Sequence, residues 1–377
     1  MLCIKNGLIY DAISDKPYYS DILVENGKIQ KIEKNIPVTK TTKVIDASNL
    51  NIYPGLIDAH CHLGLSEHGI GYEGEDTNEA NDIITPHLRA IDGVNPMDVS
   101  FKKALKAGVT CVATGPGSSN VLGGTFVAIK TKGKIIDEMI VKNPIAMKCA
   151  FGENPKRNYK EKGNMSRMTT AARLREMLLR TKDYMNKKDK DDNKQILDFK
   201  LESLIPVMKR EMPLKAHAHR LDDIFTAIRI SKEFNVKLTL EHCTEAYLAA
   251  EKIAQENIPL AVGPTLTFAT KYELKNLTFE CPAILSKAGC QVSIITDSPV
   301  IPQEYLALCA SLAIKSGMEE KEALKAITIN PAKHIGIDNR VGSIEVGKDA
   351  DFVIVEESIF NIFRNKIHYV IVDGGIV

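Results

Sequence analysis

The chain has 377 residues, 44% of them hydrophobic and 26% charged, with a formal net charge of +1. Near-neutrality removes any electrostatic case for a nucleic-acid or acidic partner, and no uncharged apolar run is long enough to span a membrane. The length exceeds one ordinary core and fits two domains, or one large barrel with an appendage.

The start, Met1-Leu-Cys-Ile-Lys-Asn-Gly, lacks the basic segment, apolar run and cleavage site of a signal peptide. Eight cysteines are scattered without CxxC or framework spacing. Cys111, Cys149 and Cys290 lie in apolar strand-like runs, as buried reduced thiols do. A cytoplasmic chain is expected.

Residues 1–52 read as β structure. Leu2-Cys-Ile, Leu8-Ile-Tyr and Asp21-Ile-Leu-Val are separated by Lys5-Asn-Gly and Glu25-Asn-Gly-Lys, and Asn-Gly between apolar runs is a hairpin signal. Pro54-Gly55 is a turn, Leu56 to Ala59 a short buried strand, and His60-Cys-His62 follows directly. The acidic insert from Glu67 to Asp82 reads equally as a lid or a passive loop. Strands and helices then alternate. Met97 to Ala107 is helical and Val109 to Thr114 a strand; Gly115 to Gly124 is a Gly-rich turn without the Lys-Ser/Thr of a phosphate loop. Ile145 to Ala150 is a strand and Thr169 to Met185 a helix, and the charge run Asn186 to Lys194 reads as a solvated loop or frayed helix end. Strands end at His217, His242, Val262 and Asp297, with helices at Leu221 to Phe234, Ala246 to Glu256, Cys281 to Ala288, Tyr305 to Lys315 and Lys321 to Thr328. About eight repeats predict an α/β fold with a (β/α)8 TIM-type barrel over residues 53–339. Short Gly-broken strands return after residue 340. Residues 1–52 and 340–377 are each too poor in apolar residues to fold alone, so a small β-sandwich built from both termini is expected.

Residues i and i+2 of a strand share a face, so His60 and His62 can present two imidazoles to one point. A bare HxH pair is a weak signal. It gains weight because the fifth strand ends in His217-Ala-His219-Arg220, the sixth in His242 and the eighth in Asp297. In such barrels chemistry sits where strands end, and histidine and carboxylate groups collected there suit a divalent metal.

The set resembles the amidohydrolase superfamily of metal-dependent hydrolases. The resemblance covers the N-terminal hairpins, the Pro-Gly-Leu-Ile-Asp-Ala-His-Cys-His entry and the ligand order. It extends to Asn330-Pro-Ala-Lys and Gly342-Ser-Ile-Glu-Val-Gly-Lys-Asp-Ala-Asp351. It implies that His60 and His62 bind a buried metal, which Asp297 touches together with the attacking water. His217 and His242 would bind a second, more exposed metal, and His219 would face substrate or stabilise the bound carbonyl. The fourth strand should add a bridging anion, either Glu153 or a CO2-carboxylated Lys148, with a slight preference for Glu153. One or two divalent ions are implied, zinc first, with Mn, Fe or Ni also compatible with the ligands.

The implied reaction is hydrolysis of an amide or cyclic amide, with Asp297 moving the proton from water to the leaving nitrogen. A mononuclear imidazolonepropionase- or deaminase-type hydrolase is the rival. Such members usually carry a glutamate three residues after the fifth-strand histidine, and that position is Arg220, which cannot act as a base. A non-catalytic relative that has lost its metals is the second rival. Lys156, Arg157, Tyr159 and Arg220 follow the strand ends and suit a substrate carboxylate, so an N-acyl amino acid or dipeptide-like substrate is expected. The partners expected are thus a small-molecule substrate, with no nucleic acid and no membrane; a homo-oligomer is compatible with the sequence.

Overall fold

The computed structural model describes residues 1–188 and 196–377. The charge run Asn186 to Lys194 falls largely in 189–195, outside the described residues; its first residues end the helix Arg167–Lys188.

Both chain ends build one hydrogen-bonded sheet. Its N-terminal strands are β1 (Leu2–Ile9), β2 (Tyr18–Glu25), β3 (Lys28–Glu33), β4 (Lys43–Asp46) and β5 (Asn51–Pro54). The barrel sheet follows, with β6 (Leu56–Cys61), β7 (Val109–Thr114), β8 (Leu122–Lys130), β9 (Ile140–Ala150), β10 (Leu214–Ala218), β11 (Leu238–His242), β12 (Leu260–Val262) and β13 (Val292–Ile294). The chain returns to the first sheet with β14 (Phe352–Val355), β15 (Ile367–Val372) and β16 (Gly375–Ile376). The terminal sheet runs β16-β15-β14-β5-β1-β2-β3, with β4 also paired to β1. Alternate residues such as Ile4, Ile22, Val24, Ile52, Phe352, Ile354 and Ile371 form one buried cluster that neither terminus could close alone.

One of the two expected Asn-Gly turns is a hairpin and one is not. Asn26-Gly27, both left-handed, joins β2 to β3. Asn6-Gly7 lies inside β1, where the register to β2 shifts after Ile4. It is a bulge at which β1 passes from pairing β4 to pairing β5. A Cβ on Gly7 would lie 2.3 Å from Ile52 Cδ1. The hairpin reading failed because β1 is held on both sides by later strands, so it continues instead of reversing.

At Gly55 the terminal sheet hands over to the barrel. A Cβ there would come within 2.1 Å of Thr110 Oγ1, so β6 and β7 pack this closely only around a glycine. The barrel sheet keeps the order β6 through β13. It departs from regular strand–helix alternation in one place: β8 is antiparallel to both β7 and β9. The loop 115–121 between β7 and β8 is too short for the crossover of a dozen or more residues that a parallel return needs. The turn read over Gly115 to Gly124 is shorter than expected, because Leu122, Gly123 and Gly124 are the first residues of β8.

No ladder joins β13 to β6 among the described residues; a buried carboxylate spans that seam. Asp58 Oδ1 accepts from the backbone N–H of His60 (3.0 Å), and Oδ2 accepts from Thr296 N (3.0 Å), Thr296 Oγ1 (2.7 Å) and Gln303 Nε2 (2.7 Å). One side chain therefore fixes the backbone just before Asp297 against the strand that carries His60. All eight cysteines are free and only Cys290 is less than fully buried. No described helix is long and apolar enough to cross a membrane.

Candidate metal centre

The strand-end residues converge as two groups of three. His60, His62 and Asp297 form one and His217, His219 and His242 the other, with the ligand atoms of each group within 4.8 Å of one another. Two of the six sit on left-handed backbone, His242 at φ 74° and Asp297 at φ 53°. Along β11 the alternation puts His242 on the face opposite Glu241, which pairs in register with His217. The left-handed step breaks that alternation, and the His242 ring lies 4.3 Å from the ring of His217. Backbone in this region is uncommon for non-glycine residues and collects at functional sites.

The tautomers follow from what each second ring nitrogen touches. His62 Nδ1 is 2.7 Å from the Gly115 carbonyl and His242 Nδ1 is 2.8 Å from the Gly263 carbonyl. A nitrogen against a carbonyl oxygen must carry the hydrogen, so Nε2 of each keeps its lone pair. His62 Nε2 lies 3.3 Å from Asp297 Oδ1 and His60 Nε2 lies 3.6 Å from it. His217 has no hydrogen-bond partner on either ring nitrogen and Asp297 Oδ1 has none either, although all three atoms are buried. Buried polar atoms are rarely left unpaired. Lone pairs from His217 and His242 on one side, and from two imidazoles and a carboxylate on the other, fit divalent cations, and His219 stands beside the first pair.

The histidines are held neutral, as ligation requires. Burial first, then the charge of Lys148, pushes His60 down to about 3. Burial, then Lys271, brings His219 down to about 3, and burial puts His217 and His242 well below the ordinary imidazole value. Asp297 lies below the ordinary carboxylate value: burial would raise it, and His242, His62 and His60 lower it to the extent that they carry charge. Unfolded imidazoles titrate near 6.5, so below that pH the unfolded chain binds more protons than the folded one, and stability falls as pH falls from about 6.5 toward about 3. Metal-free protein should show a Tm that drops steadily between pH 7 and pH 5, with a shallower drop in H219Q; a flat Tm over that window would contradict neutral buried rings.

Behind the first group lies a network that the strand-end pattern does not reveal. Glu241, wholly buried, takes His60 Nδ1 at 3.0 Å and Lys215 Nζ at 2.8 Å on one oxygen. Its other oxygen takes His334 Nε2 and Thr239 Oγ1, both at 2.8 Å. Burial would raise this carboxyl, but Lys215 and then His334 pull it well below its ordinary value. It fixes the His60 ring with Nε2 toward Asp297 and Lys148. The signal was present in the sequence: Lys215 and Glu241 are charges inside apolar strands, and buried charges need partners. Glu241→Gln removes the negative charge between Lys215, His334 and His60. Zinc affinity measured by chelator competition should fall by roughly 10- to 100-fold, and unchanged affinity would refute the orienting role.

Of the two fourth-strand candidates, Lys148 is the one brought to the histidines. Its Nζ lies 3.1 Å from His60 Nε2, and the residue is fully buried. Glu153 stands beyond the strand, where Gly152 (φ 83°) turns the chain into the short helix Glu153–Asn158. Its backbone N–H donates to Glu273 Oε2 at 2.9 Å, and its carboxylate belongs to neither group of three. His219 sits in the second group with His217 and His242, its Nδ1 2.8 Å from Thr244 Oγ1.

Of the four residues expected to receive a substrate carboxylate, Lys156 is half-buried on the short helix Glu153–Asn158 and two others are held by local partners. Tyr159 is buried, and its hydroxyl donates to the carbonyls of Glu79 and Asp82 (3.0 Å for Asp82). It pins the end of the 67–82 insert, which also bonds the β7–β8 loop through Thr77 and Asn78. Arg220 makes a two-point pair with Asp222, at 3.0 and 2.7 Å. Arg157 is exposed on the short helix. The pattern missed Lys271 and Glu273, on the loop after β12. Glu273, 1% exposed, lies 3.7 Å from His217 Nε2 and 3.8 Å from His219 Nε2, and Lys271 pairs with it at 3.1 Å.

Comparison with known proteins gives four findings. The model of the amidohydrolase family matches residues 51–377. The crystal structure of an amidohydrolase from Thermotoga maritima MSB8 aligns over 100% of this chain and 99% of its own, with a TM-score of 0.96 and 42% sequence identity. The amidohydrolase tasK of Hapsidospora irregularis is 27% identical over 372 residues, which are 89% of this chain and 38% of tasK. An adenine deaminase of Lactobacillus delbrueckii subsp. bulgaricus is 22% identical over 98% of this chain and 59% of its own length. The chain thus spans less than two thirds of these two curated relatives.

Proposed function

Because the chain belongs to the amidohydrolase family, whose members are hydrolases of carbon–nitrogen bonds, we propose that it is a two-metal hydrolase that cleaves an amide or cyclic-amide C–N bond of a small molecule with an activated water. The observation that carries this reading is the pair of facing ligand groups with unpartnered lone pairs on His217 and Asp297. In the expected naming, His60, His62 and Asp297 would hold the inner ion and His217 and His242 the outer one, although burial runs the other way, with His62 and Asp297 side chains 13% and 15% exposed against 3% and 2% for His217 and His242. Zinc is the first choice for imidazole and carboxylate ligands. Divalent ions bound there lower the pKa of a water and polarise a carbonyl.

Lys148 is the bridging group. Two lysines lie buried side by side, Lys148 and Lys215 being register partners on β9 and β10, each over the Phe126 ring. Lys215 is taken by Glu241 and by the Ala59 carbonyl at 2.9 Å. Lys148 has no carboxylate in hydrogen-bonding contact, and burial pushes it down to about 8 in spite of Asp297 and Glu241. Its neutral amine adds to CO2, forming the N–C bond of a carbamate and releasing one proton. The product is an anion where an unpaired buried cation would be costly.

Asp297 takes a proton from the attacking water and delivers it to the leaving nitrogen, so that an acid and an amine form, as two products from an open amide and on one opened chain from a cyclic amide. Its low pKa keeps it a base across the neutral range. With its Nδ1 accepting from the Thr244 hydroxyl, a neutral His219 carries its hydrogen on Nε2 and donates it to the substrate carbonyl oxygen. Arg220, locked to Asp222, supplies no proton shuttle after the fifth strand, which favours the two-metal reading over the mononuclear one.

In fold terms the barrel sheet reads as a TIM-type barrel with one reversed strand, and the terminal sheet as the small sandwich expected of the two chain ends. Support comes from the strand order β6 to β13 and from β14 pairing with β5. The reading is tested by stripping the purified protein with a chelator and assaying a panel of amides, dipeptides and cyclic amides. Hydrolysis should vanish on stripping and return with added zinc. Turnover of the panel that persists in fully stripped protein would sink it.

A further inference from the structure

We propose that Lys271 selects a substrate that carries a carboxylate next to its scissile amide, such as an N-acyl amino acid or a dipeptide; the substrate part of this inference rests on the hydrolase reading above. The expected carboxylate anchors are spent elsewhere. Arg220 is chelated by Asp222, and the Tyr159 hydroxyl is consumed by backbone carbonyls. Lys271 is different. Its side chain is 16% exposed, and its ammonium bonds Glu273 Oε1 at 3.1 Å and Asn154 Oδ1 at 3.3 Å. An ammonium has three donors, so one remains for a ligand while the other two fix its direction.

The anchor of that ammonium sets its distance from the chemistry. Glu273 is buried and lies 3.7 to 3.8 Å from Nε2 of both fifth-strand histidines. Its second oxygen is held by the Glu153 backbone N–H at 2.9 Å. Lys271 therefore stands one carboxylate away from His217 and His219, with its own side chain 16% exposed. In an N-acyl amino acid the carboxylate is separated from the amide nitrogen by a single carbon, so a cation this near the outer site suits it.

Charge balance narrows the class further. Glu273 already offsets Lys271, and Asp297 lies across the site. A singly charged carboxylate gains the free donor without strong repulsion. Glu273 is a positioning residue in this arrangement, and Lys271 is the group that touches substrate.

The test uses zinc-reconstituted full-length protein and a paired panel of N-acetyl-L-amino acids and their carboxamides, which differ only in the carboxylate. Turnover is measured for each, and binding by calorimetry, in wild type, Lys271→Met and Lys271→Arg. Wild type should favour the carboxylate series by roughly 10- to 100-fold, the range of a charge-assisted hydrogen bond, expressed in KM and in binding. The preference should collapse in Lys271→Met and return in part in Lys271→Arg. Equal treatment of the two series by wild type, absence of carboxylate-dependent binding, or an equal loss for both series in Lys271→Met would overturn the inference. Lys271-dependent binding of the carboxylate series without turnover would support it and remove the amide-hydrolase reading instead.

Discussion

Lys148→Met should abolish hydrolysis, by on the order of 10³-fold or more, and reduce bound metal from two ions per chain to one or fewer. The reasoning runs from burial. Lys148 has no exposed surface, sits 3.1 Å from a histidine of the inner group, and has its pKa lowered to about 8. Its register partner Lys215 has a carboxylate and a carbonyl, and these leave Lys148 as the lysine able to lose its proton. Met fills the volume without either charge, so the fold should persist while the bridge is lost. Intact mass spectrometry under native conditions should find wild type heavier by one CO2, and the variant without that increment. A variant that keeps two metals and activity within tenfold of wild type would show that Lys148 does not bridge.

Asp297→Asn should lower kcat by about 10²- to 10⁴-fold with little change in KM, the pattern for a group needed to move a proton in the transition state. The amide keeps the shape and one oxygen, so part of the inner-ion affinity should remain. The carboxylate is placed by more than its own strand. Asp58 ties Thr296 to the backbone of His60, and the left-handed backbone at Asp297 points it back toward His60 and His62. Stopped-assay kinetics with metal analysis on the same sample separate the two effects. A kcat within threefold of wild type would remove Asp297 from proton transfer.

Much of this molecule was legible before any coordinates. The barrel helices fall close to the periodic stretches, with Leu221–Phe234 coinciding and Cys281–Lys287 ending one residue early. Histidines at the ends of β6, β10 and β11 and an aspartate just past β13 carried the site. Two kinds of feature were hidden. Direction was one: a strand of the β8 type looks the same whichever way it runs, and only the length of loop 115–121 betrays its reversal. Pairing across the fold was the other. Glu241, Lys215 and His334 are far apart in sequence, and Lys271 with Glu273 lies on an irregular loop without periodicity. The slight preference for Glu153 came from its place after the fourth strand. The turn at Gly152 directs the chain away there, and Lys148, inside the strand, shares the barrel interior with the histidines. Local partners, Asp222 and two loop carbonyls, hold Arg220 and Tyr159, and their place after the strand ends does not show this.

A crystal structure of the zinc-reconstituted protein, with anomalous scattering recorded at the zinc edge, tests the two-metal account most directly. The account predicts two peaks, one among His60, His62 and Asp297 and one between His217 and His242, with a carboxylated Lys148 between them. A single peak beside an unmodified Lys148 would contradict it.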